Sequence, residues 1–203
     1  SDYYDVIQTR ADRAVLVVGD VAGKGVNAGI VMAMVRSIIH LITNSAKDTA
    51  TLLSWVNRGI SGKVDTDHFA TLSLVSVDAS TGEAEFSNAA HQPLLIYRKD
   101  ADAIETVDIK SIPIGVERAT EYAAKRLRFR PGDVLVMYTD GVVEAMNEQG
   151  RQFGRKNLGN AILRCRELSA REIAEAIRGD VMEFSGRTKQ HDDQTVLVMK
   201  AKL

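Results

Sequence analysis

Apolar and polar side chains alternate along residues 2 to 9, DYYDVIQT, and residues 13 to 19 contain the unbroken apolar run AVLVV. The two segments predict a pair of strands joined by a tight polar turn at Ala11 and Asp12. From about residue 27 to 44 the apolar positions recur with helical spacing, which puts Ile30, Met34, Ile38 and Leu41 on one face. A second helix is expected from an Asp48 N-cap to Gly62, with Met32, Met34 and Trp55 packing the helix pair into the core. The middle of the chain reads as a three-strand meander, HFATLSLVSVD, EAEFSNAA and PLLIYR, with a turn at ASTG. After a loop with short extended pieces comes EYAAKRLRF, and the Pro-Gly turn RPGD leads into the buried strand VLVMYT. Two helices are expected at 155 to 166 and 169 to 184, the latter opened by a capping box of Ser169 and Glu172. A last strand lies in DDQTVLVMKA.

Helix pairs alternating with blocks of antiparallel-looking strands place the chain in the α+β class. No repeat, low-complexity stretch or linker divides it, so one domain over 1 to 203 is expected. With 203 residues and 45% apolar content a substantial core can form. Charged residues make up 26% of the chain yet nearly cancel to a net charge of -1, and no polybasic run points to nucleic acid or an anionic membrane. The single cysteine, Cys165, excludes an internal disulfide and a CxxC metal site and suits a reducing cytoplasm. The longest apolar stretch, VNAGIVMAMVRSIIHLI, is interrupted by Asn27, Arg36 and His40 and falls short of the roughly 20 residues that span a bilayer, so a core helix is expected. The chain opens without methionine and already in strand alternation, which reads as a piece of a longer polypeptide with domains upstream.

Candidate chemistry centres on GDVAGKGVNAG, residues 19 to 29. A nucleotide P-loop needs G-x-x-x-x-G-K followed by Ser or Thr, but Gly19 lies only four residues before Gly23 and Gly25 stands where the hydroxyl should be. The dinucleotide fingerprint fails as well, because Gly23, Gly25 and Gly29 are spaced G-x-G-x-x-x-G. What remains is Asp20 at the end of a buried strand. The pattern recurs at Asp140, which ends VLVMYT, and at Asp192 and Asp193, which precede the last strand, while Asp2 and Asp5 bracket the start of the first. Each aspartate alone is equally a turn former or a cap. If the fold gathers these strand ends, divalent cations would relieve the repulsion, and an oxygen-only set favours Mg²⁺ or Mn²⁺ over zinc.

The succession SDYYDV, GDVAGKGVNAG, FATL, NAAHQPLL, PIGV, GDVLVMYTDGVVEAMN, FG and DDQTVLVM resembles the SpoIIE-like branch (stage II sporulation protein E) of the PPM, or type 2C-like, metal-dependent serine/threonine protein phosphatases. The motifs span residues 1 to 199, and their order is more specific than any one of them. The resemblance implies an αββα sandwich of two antiparallel sheets flanked by helix pairs, with two Mn²⁺ or Mg²⁺ ions. Asp20 would bridge the ions, the Val21 carbonyl would be a further ligand, Asp140 and Asp192 would hold one ion and Asp2 the other, and Asp193 would support its neighbour. A metal-bridging hydroxide would attack phosphoserine or phosphothreonine in line, which needs no side-chain nucleophile.

Two departures from the family pattern stand out. Only Ser1 precedes Asp2 where relatives carry glycines, which reads as a truncated first strand, and Lys24 stands where many relatives have histidine. His91 either faces the cleft or holds the turn before Pro93. Lys24 is read as a solvated loop residue and Glu144 as an exposed acid in a first helical turn, and of His40, His68 and His191 only the last is near the aspartates in sequence. The resemblance further implies a phosphorylated protein substrate, an anti-sigma factor antagonist in bacterial partner switching, and an upstream regulatory or sensor domain acting through residues 27 to 62. A cytoplasmic location, no contact with nucleic acid or membrane, and a homodimer complete the expectation. The alternative is a PPM-fold regulatory or binding module of little or no activity.

Overall fold

In the computed structural model, residues 1–10, 12–45, 47–63 and 67–202 are described; Ala11 of the expected first turn lies outside them. They form two compact units, Ser1–His91 with Asp108–Phe129, and Gln92–Val107 with Arg130–Leu203.

The first unit is built on a five-stranded antiparallel sheet. Its strands are β1 (Asp2–Arg10), β2 (Arg13–Val21), β3 (Ala70–Asp78), β4 (Glu83–Ala89) and β7 (Lys125–Arg128), in the order β1-β2-β3-β4-β7. Helices α1 (Val26–Ile42) and α2 (Thr49–Ile60) pack against it. Val15 and Val17 of β2 and Leu72 and Leu74 of β3 share a core with Val31, Val35 and Ile39 of α1 and Leu53, Val56 and Ile60 of α2. Leu16 and Val18 are buried too, so β2 is dry on both faces, as its continuous apolar run requires. Asp48 caps α2 as expected, its carboxylate accepting the Thr51 N–H at 2.7 Å.

The face of α1 differs from expectation. Ala28, Val31, Val35 and Ile39 are buried, Met34 and Ile38 are half-buried, and Ile30 and Leu41 are exposed. In a helix apolar nearly all round, the periodic pattern defines its core face only to within about one residue. With the 3₁₀ turn that follows it, this helix makes a 20-residue stretch, Val26–Ser45, that is long and apolar enough to cross a membrane by length and composition alone; here its buried residues join the core of the first unit. Met32 and Met34 pack beside that core, whereas Trp55 is half-buried outside it.

The second unit has a four-stranded antiparallel sheet of β5 (Leu94–Arg98), β6 (Ala103–Val107), β8 (Val134–Tyr138) and β9 (Val196–Lys200), in the order β6-β5-β8-β9. The short α3 (Asp140–Val143) follows β8, and α4 (Gly154–Cys165) and α5 (Ala170–Ser185) cover the sheet with Leu158, Ile162, Ile173 and Ile177. The capping box at Ser169 and Glu172 is present. The expected meander is broken: β3 and β4 pair with each other, but β5 pairs with β6 and β8 in the other sheet. The break follows β4, where Ala90 takes a positive φ of 56° and Pro93 can donate no ladder hydrogen bond. The class is α+β, with two antiparallel sheets and a helix pair packed in the core of each unit.

Candidate metal centre

In the first unit the β1–β2 ladder sets Asp2 directly opposite Asp20, two carboxylates on paired positions that repel unless a cation lies between or beside them. The next residue, Val21, turns its carbonyl toward the same place. The Ser1 nitrogen lies 3.0 Å from Asp20 Oδ1 and 3.0 Å from the Val21 oxygen, so these two oxygens, expected to be metal ligands, face one point. In the loop after β2, Gly23 and Gly25 adopt φ of 84° and 87°, a region that strains other residues. Asp20 is backed by Thr71, its partner on β3, whose hydroxyl approaches the Asp20 carbonyl at 3.5 Å and pairs with His91 Nδ1 at 2.9 Å. His91 is buried, its N–H donating to Asn88 Oδ1 and its carbonyl accepting from Asn88 Nδ2, both at 2.9 Å. Of its two open readings, these bonds supply the turn-holding one.

In the second unit β8 and β9 run antiparallel with Tyr138 opposite Val196, so the end of one strand meets the start of the other. Thr139 and Thr195 clamp the junction: the Thr139 N–H donates to the Thr195 carbonyl at 3.1 Å, and the Thr195 N–H donates to Thr139 Oγ1 at 3.0 Å. Asp140 opens α3 just beyond the clamp, and its carboxylate lies within 4.8 Å of that of Asp192. The approach depends on Gly141, where a Cβ would stand 1.9 Å from the Asp193 carbonyl oxygen and 3.6 Å from Asp192 Cβ. The turn is held from within, with the Asp193 N–H donating to Asp192 Oδ1 at 2.8 Å and Gln190 Nε2 donating to the Asp192 carbonyl at 2.7 Å. Asp193 thus supports its neighbour through its backbone. Asp140 Oδ1 is buried, and no donor reaches it among the described residues. An orphaned carboxylate oxygen beside a second carboxylate fits a hard divalent cation, as do the oxygens gathered around Asp20.

The remaining candidates fall outside these groups. Lys24 and Glu144 are exposed. His40 pairs with Asp5 at 2.5 Å, and Asp5 also accepts from Tyr3 Oη at 3.0 Å, tying α1 to β1. Nothing in sequence spacing announced that cluster, nor the Thr71–His91 and Thr139–Thr195 supports. Burial pushes the Asp5 carboxyl up, but the hydrogen bonds from His40 and Tyr3, with the charge of His40, outweigh it and hold the group below its ordinary value.

The family profile described as Stage II sporulation protein E (SpoIIE) matches residues 10–202. The chain belongs to the SpoIIE family. Phosphoserine phosphatase RsbU of Bacillus subtilis (strain 168) is 23% identical over 202 residues, which is 100% of this chain and 59% of that protein. A solved structure of the RsbU and RsbW domains of a Mycobacterium tuberculosis protein is 26% identical, covers 99% of this chain and 56% of the other, and superposes with a TM-score of 0.82. The SiaA-PP2C domain of Pseudomonas aeruginosa, 24% identical over 98% of this chain and 80% of its own, superposes with a TM-score of 0.86 and so shares the fold. The SpoIIE-family chain spans 59% of the length of RsbU and 35% of that of a second relative, Protein IcfG of Synechocystis.

Proposed function

We propose that this SpoIIE-family chain is a metal-dependent protein serine/threonine phosphatase, its two units acting as one catalytic domain. Asp2, Asp20 and Val21 from the first unit and Asp140 and Asp192 from the second would hold two Mn²⁺ or Mg²⁺ ions. When bound, such ions polarise phosphoryl oxygens and lower the pKa of a coordinated water, which supplies the attacking oxygen. The protein's own part is to hold the carboxylates convergent: the ladder register does this for Asp2 and Asp20, and the Thr139–Thr195 clamp and Gly141 do it for Asp140 and Asp192. No side-chain nucleophile is called for, and Cys165 is buried in α4, where burial first and the Asp180 charge second push its thiol up.

The observation that most favours this function is Asp140 Oδ1, buried without a donor among the described residues and beside Asp192. Family membership and the name of RsbU, a phosphoserine phosphatase, point the same way. By the same kinship the substrate would be a phosphorylated anti-sigma factor antagonist in the cytoplasm. An upstream regulatory segment or a second copy of the chain would meet α1, which exposes Val26, Ile30 and Leu41. The test is hydrolysis of an aryl phosphate with and without Mn²⁺ in the parent, Asp20→Ala and Asp140→Ala. Turnover should require Mn²⁺ and fall in each variant by more than the roughly 10–100-fold that loss of a supporting partner costs. Turnover without metal, or surviving both substitutions, would overturn the mechanism, and Mn²⁺ binding without turnover would leave the binding-module alternative.

A further inference from the structure

A cavity of ≈ 540 Å³ lies wholly within the second unit, and Gly141 and Asp192 form part of its wall. Ala145, Met146, Val181 and Met182 supply its apolar lining, and Lys189, Gln190 and Gln194 are among its polar residues. Two of these side chains are not accounted for by core packing. Ile173, Ile177 and Val181 are the buried residues of α5, yet the next residue, Met182, is 61% exposed, and Met146 is 38% exposed. Methionine is flexible and polarizable, which suits it to contacting varied apolar partners.

The surround is already held in place by hydrogen bonds. Asn147 Oδ1 accepts the N–H groups of Gln149 at 3.1 Å and Arg151 at 2.8 Å, and the Phe153 N–H donates to the Ala145 carbonyl at 2.7 Å. The Arg187 N–H donates to Glu148 Oε1 at 3.3 Å, tying this turn to the segment after α5. A groove built in advance costs a ligand little ordering, and its size is that of ordinary ligand clefts.

We infer that this groove receives the polypeptide flanking the phosphorylated residue of the substrate and selects an apolar side chain near that residue. The inference rests on Asp140 and Asp192 holding the ions that bind the phosphoryl group. Phosphoserine has one methylene between its phosphate ester oxygen and the main chain. A phosphoryl group bound beside Asp192 therefore brings the substrate backbone to the groove of which Asp192 is a wall. Gln194 offers its amide to that backbone and Gln190 its Oε1, the Gln190 Nε2 holding the Asp192 carbonyl; Met146 and Met182 offer apolar contact to the neighbouring side chain. The occupant is thus an extended phosphoserine or phosphothreonine segment, with Leu, Ile or Met close to the phosphoresidue.

The test uses two ten-residue phosphoserine peptides, alike except for Leu or Asp at the positions two and three residues on either side of the phosphoserine. Phosphate release is measured with Mn²⁺ and binding by fluorescence anisotropy of labelled peptides, for the parent, Met182→Glu and Met182→Leu. The parent should prefer the Leu peptide about tenfold in kcat/KM and in Kd. In Met182→Glu the ratio of Leu-peptide to aryl phosphate kcat/KM should fall about tenfold, while Met182→Leu keeps it. Equal binding and turnover of the two peptides by the parent, or a preference untouched by Met182→Glu, overturns the groove assignment. Failure of the phosphatase function is separately visible as absent Mn²⁺-dependent aryl phosphate turnover, and the anisotropy comparison still decides the groove. Thermal melting checks that Met182→Glu is folded.

Discussion

Replacing Gly141 by alanine tests the geometry that brings Asp140 and Asp192 together. The new Cβ would lie 1.9 Å from the Asp193 carbonyl oxygen and 3.0 Å from its carbonyl carbon. The closest common C···O contact is about 3.3 Å, so the Asp192–Asp193 turn must retreat by about 1.4 Å. That is several times the tolerance of about 0.2 Å within which metal–ligand distances hold. Mn²⁺ affinity, read by isothermal titration, should fall about 10–100-fold, with aryl phosphate turnover falling alongside. The clash adds a stability cost of about 1–3 kcal/mol. In a chain of this size each kcal/mol lowers Tm by about 2–4 °C. Gly179→Ala is the control: it lies inside α5 with no atom within 4 Å of the added Cβ, and it should gain up to about 1 kcal/mol and leave the metal titration alone. A Gly141→Ala protein that binds Mn²⁺ and turns over like the parent would refute the reasoning. A lowered Tm with an unchanged titration would reduce Gly141 to a packing role.

Other consequences are open to measurement. Asp48→Ala removes the cap on Thr51 N–H and should cost about 1 kcal/mol in urea unfolding, with a loss under about 0.3 kcal/mol counting against the cap. Because the folded-state pKa of Asp5 is lowered, its interactions stabilise the chain above the unfolded carboxylate pKa and are lost as pH falls through the folded value. The Tm gap between parent and Asp5→Asn should therefore be open near pH 6 and close below about pH 4, and a gap that widens in acid would contradict the assignment. Cys165 is buried with its thiol pKa raised, so a thiol reagent at pH 8 should label it only as fast as the second unit opens, and denaturant should speed labelling by orders of magnitude. Labelling of the native protein at the rate of a free thiol would show that α4 does not shield it.

Much of the molecule was legible because its signals are local. The Asp48 cap and the Ser169–Glu172 box each involve groups three residues apart, and the strand AVLVV, buried on both faces, carries its own apolar run. What local pattern leaves undecided is tertiary. α1 is so rich in apolar residues that spacing could not choose between the row of Ile30 and that of Val31; the sheet and α2 made the choice. β5 has strand composition wherever it pairs, and its sheet was decided by partners β6 and β8, the latter about forty residues on. His40 and Asp5, thirty-five positions apart, could not be matched from spacing at all.

The site divides in the same way. Aspartates at the ends of apolar strands, with no histidine or cysteine cluster, already indicated oxygen ligands and a hard cation, because ligand chemistry resides in residue type. Convergence belongs to the folded chain: the ladder register puts Asp2 opposite Asp20, and antiparallel pairing of β8 with β9, clamped by two threonines, carries Asp192 to Asp140. Sequence determined which groups were available, since composition and periodicity act residue by residue. Only tertiary structure decided which of them meet, because register and close approach depend on partners distant in the chain, and at Gly141 on the absence of a single carbon atom.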